Sequence, residues 1–278
     1  MLFGGIDGGQ SGTTAVIGDG RRVLARGSSG PADEIGVAPD STRLRDALEG
    51  ALADALAGAN LPADSRFDVI VAGVSGYEGR IYGMAPRFAA QRFVLLHDAP
   101  VAHAGALGGE PGVVVIAGTG SAAYAVAHDG RTRMRGGWGY LFGDEGSAFW
   151  IARTYISQAI EDEVLAAAPL DYFGVASLRE LVRAFYSGAI SRDRFASFAT
   201  VALGREDIAA AAARELAALA ARAVLERPCA VAFAGGLIRN RSFMERVHDA
   251  TASLLPDCVL VEPLAEPAEG ALILAQRL

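Results

Sequence analysis

A repeated order of secondary-structure elements is the feature that most constrains how this chain can fold. Each half contains three short apolar segments separated by glycine-rich turns, followed by alternating helical and apolar segments. This pattern predicts the order β-β-β-α-β-α-β-α twice. Hairpins join antiparallel strands, whereas helical connections join parallel strands. A chain with both kinds of connection therefore forms a mixed sheet with helices on both faces. We therefore expect an internal duplication, with two α/β lobes that each hold a mixed five-stranded sheet.

The boundary between the lobes is predicted in the turn-rich segment LGGEPG, which ends at Gly112. The first lobe then spans residues 1–110 and the second spans residues 111–278. The second lobe is longer because a helical insertion interrupts it at about residues 146–228. In the first lobe, leucines at intervals of four residues predict a helix over residues 41–57.

Composition excludes several classes of partner. The formal net charge is −7, so we expect neither nucleic acid nor an anionic membrane as a partner. No segment approaches the ~20 apolar residues of a membrane span. The N-terminal MLFGGIDGG lacks the basic and apolar regions of a signal peptide, and the predicted location is therefore cytoplasmic.

The absence of lysine excludes several chemistries. All 25 basic residues, other than histidine, are arginine. A Walker A loop, a pyridoxal Schiff base and a lysine general base each need a lysine, so none of them is possible here.

The cysteines and histidines do not indicate a metal centre. Cys229 and Cys258 lack a metal-ligand spacing, and we interpret them as small buried apolar residues. The four histidines also show no ligand spacing such as H-x-x-x-H. We therefore predict no metal site built on these residue types.

The hairpin loop DGGQSGTT, Asp7–Thr14, predicts a phosphate-binding site. Glycines allow the backbone amides to approach phosphate oxygens, and the hydroxyl groups add further donors. Asp7 is placed to hold a hydrated Mg²⁺. An ordinary hairpin turn is the alternative, but it would need only the glycines. The residues predicted to bind the phosphates are Gly8, Gly9, Ser11, Thr13 and Thr14.

A second loop, AGTGS, occupies the equivalent place in the second half of the chain. With the two alanines that follow, it matches the dinucleotide fingerprint G-x-G-x-x-A. That fingerprint must open a helix, whereas a strand is predicted here, and we therefore reject a Rossmann site. We predict a second phosphate-binding hairpin, formed by Gly118, Thr119, Gly120 and Ser121.

Two further strand ends carry candidate site residues. Asp98 follows an apolar strand, where it is either a helix cap or a functional carboxylate. Gly235 and Gly236 follow another apolar strand and offer a backbone surface without side chains, which suits a purine ring. A simple strand-to-helix turn explains the two glycines equally well.

The stretch GWGYLFGDEGSAFWIAR, residues 137–153, places two carboxylates between a glycine-rich loop and an apolar helix. Acidic residues are favourable near a helix N-terminus, so a capping role is one interpretation. A polar site for a hydroxyl-rich ligand is the other interpretation. The two roles are compatible, with Glu145 as the cap and Asp144 as the ligand-binding carboxylate.

Together, DGGQSGTT, AGTGS, GGWGYLFGDEGSAFWIA and AGGLIRN, in this order and spacing, resemble the N-acetylglucosamine kinase group of the BadF/BadG/BcrA/BcrD-type ATPases. The resemblance covers essentially the whole chain. It implies a duplicated ribonuclease H-like fold, as in actin. It also implies an ATP- and Mg²⁺-dependent kinase acting on the 6-hydroxyl of an amino sugar, and a homodimer.

The resemblance also implies a role for each matching residue. Asp98 would be the general base that accepts the proton of the sugar 6-hydroxyl, and the glycine pair Gly235–Gly236 would face adenosine. The two hairpin loops would bind the phosphates of ATP. The residues that would line the sugar pocket are Gly137, Trp138, Gly139, Asp144 and Glu145.

One position departs from the pattern of these kinases, which commonly carry G-P-A-N in the first lobe. This chain has Asp33 in place of the asparagine. An aspartate can still accept a hydrogen bond from a sugar hydroxyl. Its negative charge predicts a preference for a free 2-ammonium group, as in glucosamine, over a 2-acetamide.

Other readings of the sequence stay open. The substrate is N-acetylglucosamine in the main reading, with glucosamine or N-acetylmuramic acid as alternatives. An ATPase activator of a radical dehydratase belongs to the same broad family, but it would hold an iron–sulfur cluster through paired cysteines. The cysteines of this chain lie at or in predicted core strands and fit that role poorly. A non-catalytic sugar sensor is the third reading.

Overall fold

The computed structural model describes residues 1–32 and 38–278 and divides the chain into two compact units. Unit 1 consists of Met1–Pro111 together with Glu262–Leu278, and unit 2 consists of Gly112–Val261. No helix within the described residues combines the length and the apolar character needed to cross a lipid bilayer.

Unit 1 is built on a five-stranded sheet in the order β3-β2-β1-β4-β5. The pairs β1–β2 and β2–β3 are antiparallel, whereas β1–β4 and β4–β5 are parallel. Helix α1 packs on one face, and α2 and α10 pack on the other. The elements are β1 (Phe3–Gly8), β2 (Thr13–Gly18), β3 (Val23–Ser29), α1 (Arg43–Gly58), β4 (Phe67–Val74), β5 (Ala90–His97), α2 (Asp98–Leu107) and α10 (Pro267–Gln276).

Unit 2 repeats this topology with a sheet in the order β8-β7-β6-β9-β10. The first three strands again pair antiparallel, and β9 and β10 again add in parallel. The predicted duplication and the two mixed five-stranded sheets are therefore confirmed. The strands are β6 (Gly112–Ala117), β7 (Ser121–Val126), β8 (Thr132–Gly136), β9 (Ala230–Ala234) and β10 (Val259–Val261), and helix α9 (Arg241–Leu254) connects the last two.

The helical insertion of unit 2 lies between β8 and β9. Its helices are α3 (Ala148–Ala159), α4 (Glu163–Phe173), α5 (Leu178–Tyr186), α6 (Arg192–Ala196), α7 (Ala199–Ala202) and α8 (Glu206–Ala223). Helix α8 packs against β6, β7 and β8, and aromatic side chains of α3 to α6 form the core of the insertion.

The helix predicted from leucine spacing is α1. All four leucines of the repeat are buried against the sheet, which is the burial that an interval of four residues predicts. They are Leu44, Leu48, Leu52 and Leu56.

The structure corrects the predicted extent of the second lobe, which included the C-terminus of the chain. Helix α10 packs on β1 and α2, and residues 262–278 therefore belong to unit 1. Two glycines allow this packing. A Cβ on Gly5 would lie 2.2 Å from the backbone nitrogen of Leu272, and a Cβ on Gly270 would lie 2.0 Å from the carbonyl oxygen of Val101. The boundary at Pro111 lies one residue from the predicted one.

The two cysteines lie side by side at the starts of β9 and β10. Their Sγ atoms are 3.2 Å apart, and both residues are half-buried. Burial, together with the hydrogen bond and charge of Cys258, raises the pKa of the Cys229 thiol to about 12. Reaction through the thiolate should therefore be slow at neutral pH. The two sulfur atoms are nevertheless close enough for a disulfide to form between them.

We expect an excess of glutathione disulfide to convert this pair slowly into an intramolecular disulfide, with release of two molecules of glutathione. Intact-mass measurement should show the loss of two hydrogens, and Cys258→Ser should leave only a glutathione adduct at Cys229. A stable glutathione adduct on the unsubstituted protein, or no change in its mass, would contradict this prediction.

Candidate active site

The segment Gly8–Thr14, here called the first glycine loop, turns the chain from β1 into β2. The amide of Gly9 donates to the carbonyl of Gly12 at 2.9 Å, which closes the turn. Gly8 is buried, and a Cβ there would lie 2.9 Å from the Cβ of Ala32. Close packing against Ala32 therefore requires glycine at this position, whatever the loop binds.

The donors of the first glycine loop differ in what they contact. The hydroxyl of Thr13 is buried and donates to the carbonyl of Gly30 at 2.8 Å. Ser11 and Thr14 are exposed. The amides of Ser11 and Gly12 make no hydrogen bond within residues 1–32 and 38–278. Two amides and two exposed hydroxyls are therefore available to an anion.

Asp7 lies on β1 beside the starts of two helices. It pairs with Gly73 in β4, and a Cβ on Gly73 would lie 3.2 Å from the Cα of Asp98, the first residue of α2. Glu266 precedes the first turn of α10 as its N-cap. Burial, then the negative charges of Asp98 and Glu266, raise the pKa of Asp7 to about 7. A carboxylate held this way would gain from a cation.

Asp98 forms a close pair with His97, which the sequence did not single out. Nδ1 of His97 lies 2.7 Å from Oδ1 of Asp98 and 3.1 Å from the amide of Ala99, which it caps. One nitrogen cannot both accept from the amide and donate to the carboxylate, so the protonation state selects the partner. Burial opposes the charged imidazole, but Asp98 and then Glu78 raise the pKa of His97 above its usual value. A protonated Nδ1 would donate to Asp98, whereas in the neutral ring Nδ1 can accept from the amide of Ala99.

The segment Gly118–Ser121, here called the second glycine loop, turns β6 into β7 at the equivalent position of unit 2. Its turn is one residue tighter, because the amide of Gly118 donates to the carbonyl of Gly120 at 3.0 Å. Both hydroxyls are used within the protein: Thr119 donates to Asp193, and Ser121 donates to the carbonyl of Glu145. In the described part of the chain, the amides of Thr119 and Gly120 have no hydrogen-bond partner.

Asp144, a predicted contact of the sugar, lies beside the second glycine loop. Only 3% of the residue is exposed. Its Oδ1 accepts from the amide of Ser121 at 3.2 Å, and its Oδ2 contacts Nη2 of Arg192 at 2.8 Å. A Cβ on Gly120 would lie 2.7 Å from the carboxylate, so this close approach requires glycine. Burial raises the pKa of Asp144, and the Ser121 amide and Arg192 oppose that shift.

The N-cap of α3 is Ser147 and not Glu145, which corrects the predicted cap. The hydroxyl of Ser147 accepts from the amide of Trp150 at 3.2 Å, and the side chain is fully buried. Glu145 is exposed. A hydroxyl caps as well as a carboxylate does and is less costly to bury without a counter-charge.

The predicted wall of the sugar pocket is an exposed loop. Gly137 and Gly139 have φ angles of +75° and +78°, which favour glycine. Trp138 between them is 77% exposed, and Leu141 and Phe142 are exposed as well. The loop therefore presents aromatic and aliphatic side chains without a partner among the described residues.

Gly235 and Gly236 lie next to the second glycine loop. Both are exposed, and Gly235 has a φ angle of +108°. A Cβ on Gly235 would lie 2.4 Å from the carbonyl oxygen of Ala117, the residue before the loop. Only glycine can therefore occupy this position, and the resulting surface has no side chains.

The structure thus groups the predicted residues by unit. Unit 1 brings Asp7, Asp98 and the first glycine loop together, and unit 2 groups the second glycine loop with Asp144 and the two glycines after β9. Asp33 lies outside the described residues. Among the described residues, no group of three or more His, Cys, Asp or Glu side chains is arranged to hold a metal ion.

Sequence reasoning missed four residues of these groups, namely His97, Arg192, Asp193 and Glu266. Glu266 had a detectable signal, because E-P-A-E is a capping box with proline in the first turn. His97 was marked only by its position before Asp98. Arg192 and Asp193 carried no local signal, because their partners lie 48 and 74 residues away in the chain.

Comparison with known proteins finds one matching family and a similar kinase. The model of the BadF/BadG/BcrA/BcrD ATPase family matches residues 5–275. An N-acetylmuramic acid/N-acetylglucosamine kinase from Clostridium acetobutylicum is 29% identical over 66% of this chain and 67% of its own length.

Two solved structures share the fold. A candidate N-acetylglucosamine kinase from Chromobacterium violaceum superposes with a TM-score of 0.80 and 28% identity, over 99% of this chain and 98% of that one. The activator of 2-hydroxyisocaproyl-CoA dehydratase from Clostridium difficile, solved with ADPNP, has a TM-score of 0.51 and 16% identity, over 100% and 95% of the two chains. At that identity the activator shows a common fold only. The fold is the duplicated ribonuclease H-like fold that the sequence predicted.

Proposed function

This chain belongs to the BadF/BadG/BcrA/BcrD ATPase family, and on that premise we propose that it is an ATP-dependent kinase that phosphorylates the 6-hydroxyl of an amino sugar. N-acetylglucosamine is the first candidate substrate, followed by N-acetylmuramic acid and glucosamine. The observation that carries the proposal is the pair of glycine loops with free amides, in a chain similar to an N-acetylmuramic acid/N-acetylglucosamine kinase.

Asp98 is the proposed general base. Its side chain is partly exposed, and the hydrogen bond to His97 engages one carboxylate oxygen. The other oxygen is then directed to the substrate, where it accepts the proton of the attacking hydroxyl. A positioned base of this kind typically accelerates a reaction by about 10²–10⁴-fold.

The two glycine loops are the proposed phosphate ligands. The chain has no lysine, and we assign the charge on the phosphates to amides, hydroxyls and metal. The first glycine loop supplies amides and the hydroxyls of Ser11 and Thr14, whereas the second supplies amides alone. The bare backbone of Gly235 and Gly236 suits the adenosine ring.

Asp7 fits a role as a Mg²⁺ ligand. Its pKa is raised first by burial and then by the negative charges of Asp98 and Glu266, and a divalent cation would stabilise the ionised carboxylate against both. Mg²⁺, when bound, supplies charge neutralisation on the transferred phosphate. Within residues 1–32 and 38–278 no other carboxylate completes a cage, so water and phosphate oxygens would fill the remaining positions.

The exposed loop around Trp138 is the proposed sugar-binding wall, since an aromatic face can cover the apolar face of a sugar ring. Asp144, Glu145 and Asp33 stay predicted sugar contacts. The buried ion pair of Asp144 assigns it in addition a part in shaping the second glycine loop. The homodimer and the cytoplasmic location also stay predictions.

The test is ATP- and Mg²⁺-dependent ADP release with N-acetylglucosamine, glucosamine, N-acetylmuramic acid, N-acetylmannosamine and glucose. We expect sugar-dependent turnover with an amino sugar, and phosphorus NMR of the product should place the phosphate on C6. The 6-deoxy analogue of the best substrate is the matched control, which should inhibit but yield no product.

Different outcomes separate the alternatives. A strong preference for N-acetylglucosamine over glucosamine would overturn the ammonium preference predicted from Asp33. ATP hydrolysis without sugar-dependent turnover would overturn the kinase. Visible iron–sulfur absorption of protein purified without oxygen would favour an activator, whereas a colourless protein would dismiss it.

A further inference from the structure

Two consecutive residues of helix α6 contact the second glycine loop. Nη2 of Arg192 lies 2.8 Å from Oδ2 of Asp144, which accepts from the amide of Ser121 through its other oxygen. Oδ1 of Asp193 accepts a 2.9 Å hydrogen bond from the hydroxyl of Thr119. The helical insertion thus holds the loop at two points.

Helix α6 is itself held by aromatic packing. The ring of Phe195 is buried, and its centroid lies 4.9 Å from those of Phe149 in α3 and Phe185 in α5. The guanidinium of Arg192 also lies over the ring of Tyr140, 5.2 Å from its centroid. The position of the loop therefore depends on the packing of the whole insertion.

Charge gives Arg192 a specific role beside an anion site. The carboxylate of Asp144 is buried next to the amides proposed to bind phosphate. Unpaired, its negative charge would be costly to bury and would repel phosphate. The guanidinium of Arg192 neutralises that charge, whereas the Ser121 amide only donates a hydrogen bond to it.

We propose that Arg192 and Asp193 are positioning residues for nucleotide binding, which hold the second glycine loop with its Thr119 and Gly120 amides free. The proposal rests on the proposed function in one respect, that this loop binds phosphate. Neither side chain needs to contact ATP.

The test compares ATP and sugar binding in four variants. Asp193→Ala should raise the KM for ATP about 10-fold, because it removes one hydrogen bond to a partly buried partner. Asp193→Asn keeps an acceptor and should stay within about threefold of the unsubstituted protein. Arg192→Ala should raise the KM for ATP about 100-fold, and Arg192→Lys should recover part of that loss. In the two Asp193 variants, which leave the Arg192–Asp144 ion pair in place, the KM for the sugar should change less than about twofold.

The control on the same helix is Arg194→Ala, because Arg194 contacts the carbonyl and the ring of Tyr172 and not the loop. It should leave the KM for ATP unchanged. Loss of folding would lower the active fraction and leave both KM values unchanged, so a merely structural role is distinguishable. An unchanged KM for ATP in Asp193→Ala, or equal changes in its two KM values, would overturn the proposal.

Direct titration with fluorescent trinitrophenyl-ATP separates this proposal from the proposed function. If the unsubstituted protein binds the nucleotide but turns over no sugar, the kinase proposal fails. The affinities of the four variants for the nucleotide, ranked as their KM values for ATP were expected to rank, still test the positioning role. If it binds no nucleotide, both fail.

Discussion

Asp98→Asn should lower kcat for sugar phosphorylation by about 10²–10⁴-fold, which is the range for loss of a positioned general base. Asparagine has the shape of aspartate and can still accept from His97, but its amide cannot take the proton of the attacking hydroxyl. The KM for ATP should change little, because the proposed nucleotide contacts are the glycine loops.

Steady-state kinetics with the best sugar, together with trinitrophenyl-ATP binding, measure this effect. The matched control is Asp64→Asn, an exposed loop carboxylate of the same unit, which should behave as the unsubstituted protein does. A normal kcat in Asp98→Asn would remove Asp98 from the base role. A loss of kcat accompanied by an equal loss of ATP affinity would assign Asp98 to nucleotide binding instead.

Asp7→Asn should abolish most activity and yet stabilise the protein above neutral pH. Loss of a charged group that organises phosphate and metal typically costs on the order of 10²–10³-fold in kcat. In the folded protein the pKa of Asp7 is about 7, against an ordinary value of 3.8. Folding therefore favours the protonated carboxyl, and ionisation of Asp7 makes the folded state less stable.

The sign of this effect gives a clear pH dependence. Below pH 4 Asp7 is protonated in both states and contributes no difference. From pH 4 to pH 7 the folded state binds more protons, so the free energy of unfolding falls as the pH rises. Asparagine does not ionise, so the variant does not lose stability in this way. At pH 8 the free energy of unfolding of Asp7→Asn should therefore exceed that of the unsubstituted protein by about 2–4 kcal/mol.

Urea unfolding in EDTA at pH 4.5, 6 and 8 measures the difference between the two proteins. The advantage of Asp7→Asn should be small at pH 4.5 and largest at pH 8. Added Mg²⁺ and nucleotide should narrow it, because they stabilise only the protein that binds them. An advantage independent of pH would show that burial of polar atoms, rather than charge repulsion, sets the environment of Asp7.

Elements with local signals could be predicted from the amino-acid sequence. The spacing of leucines predicted α1, and apolar segments followed by glycines predicted the strands. The repeated order of elements predicted two sheets of the same topology. The two glycine loops and Asp98 were found for the same reason, because each lies where a strand ends and side chains or amides become free. A short segment carries all the information needed for such predictions.

Contacts between segments that are distant in the chain could not be predicted in this way. Helix α10 joins unit 1 because Gly5 and Gly270 admit its backbone, and no local pattern shows which sheet a terminal helix will reach. The side chain of Asp144 is buried because Arg192, 48 residues away, supplies its counter-charge. Periodicity and turn chemistry act over a few residues, whereas close packing and charge pairing depend on which surfaces meet after the chain has folded.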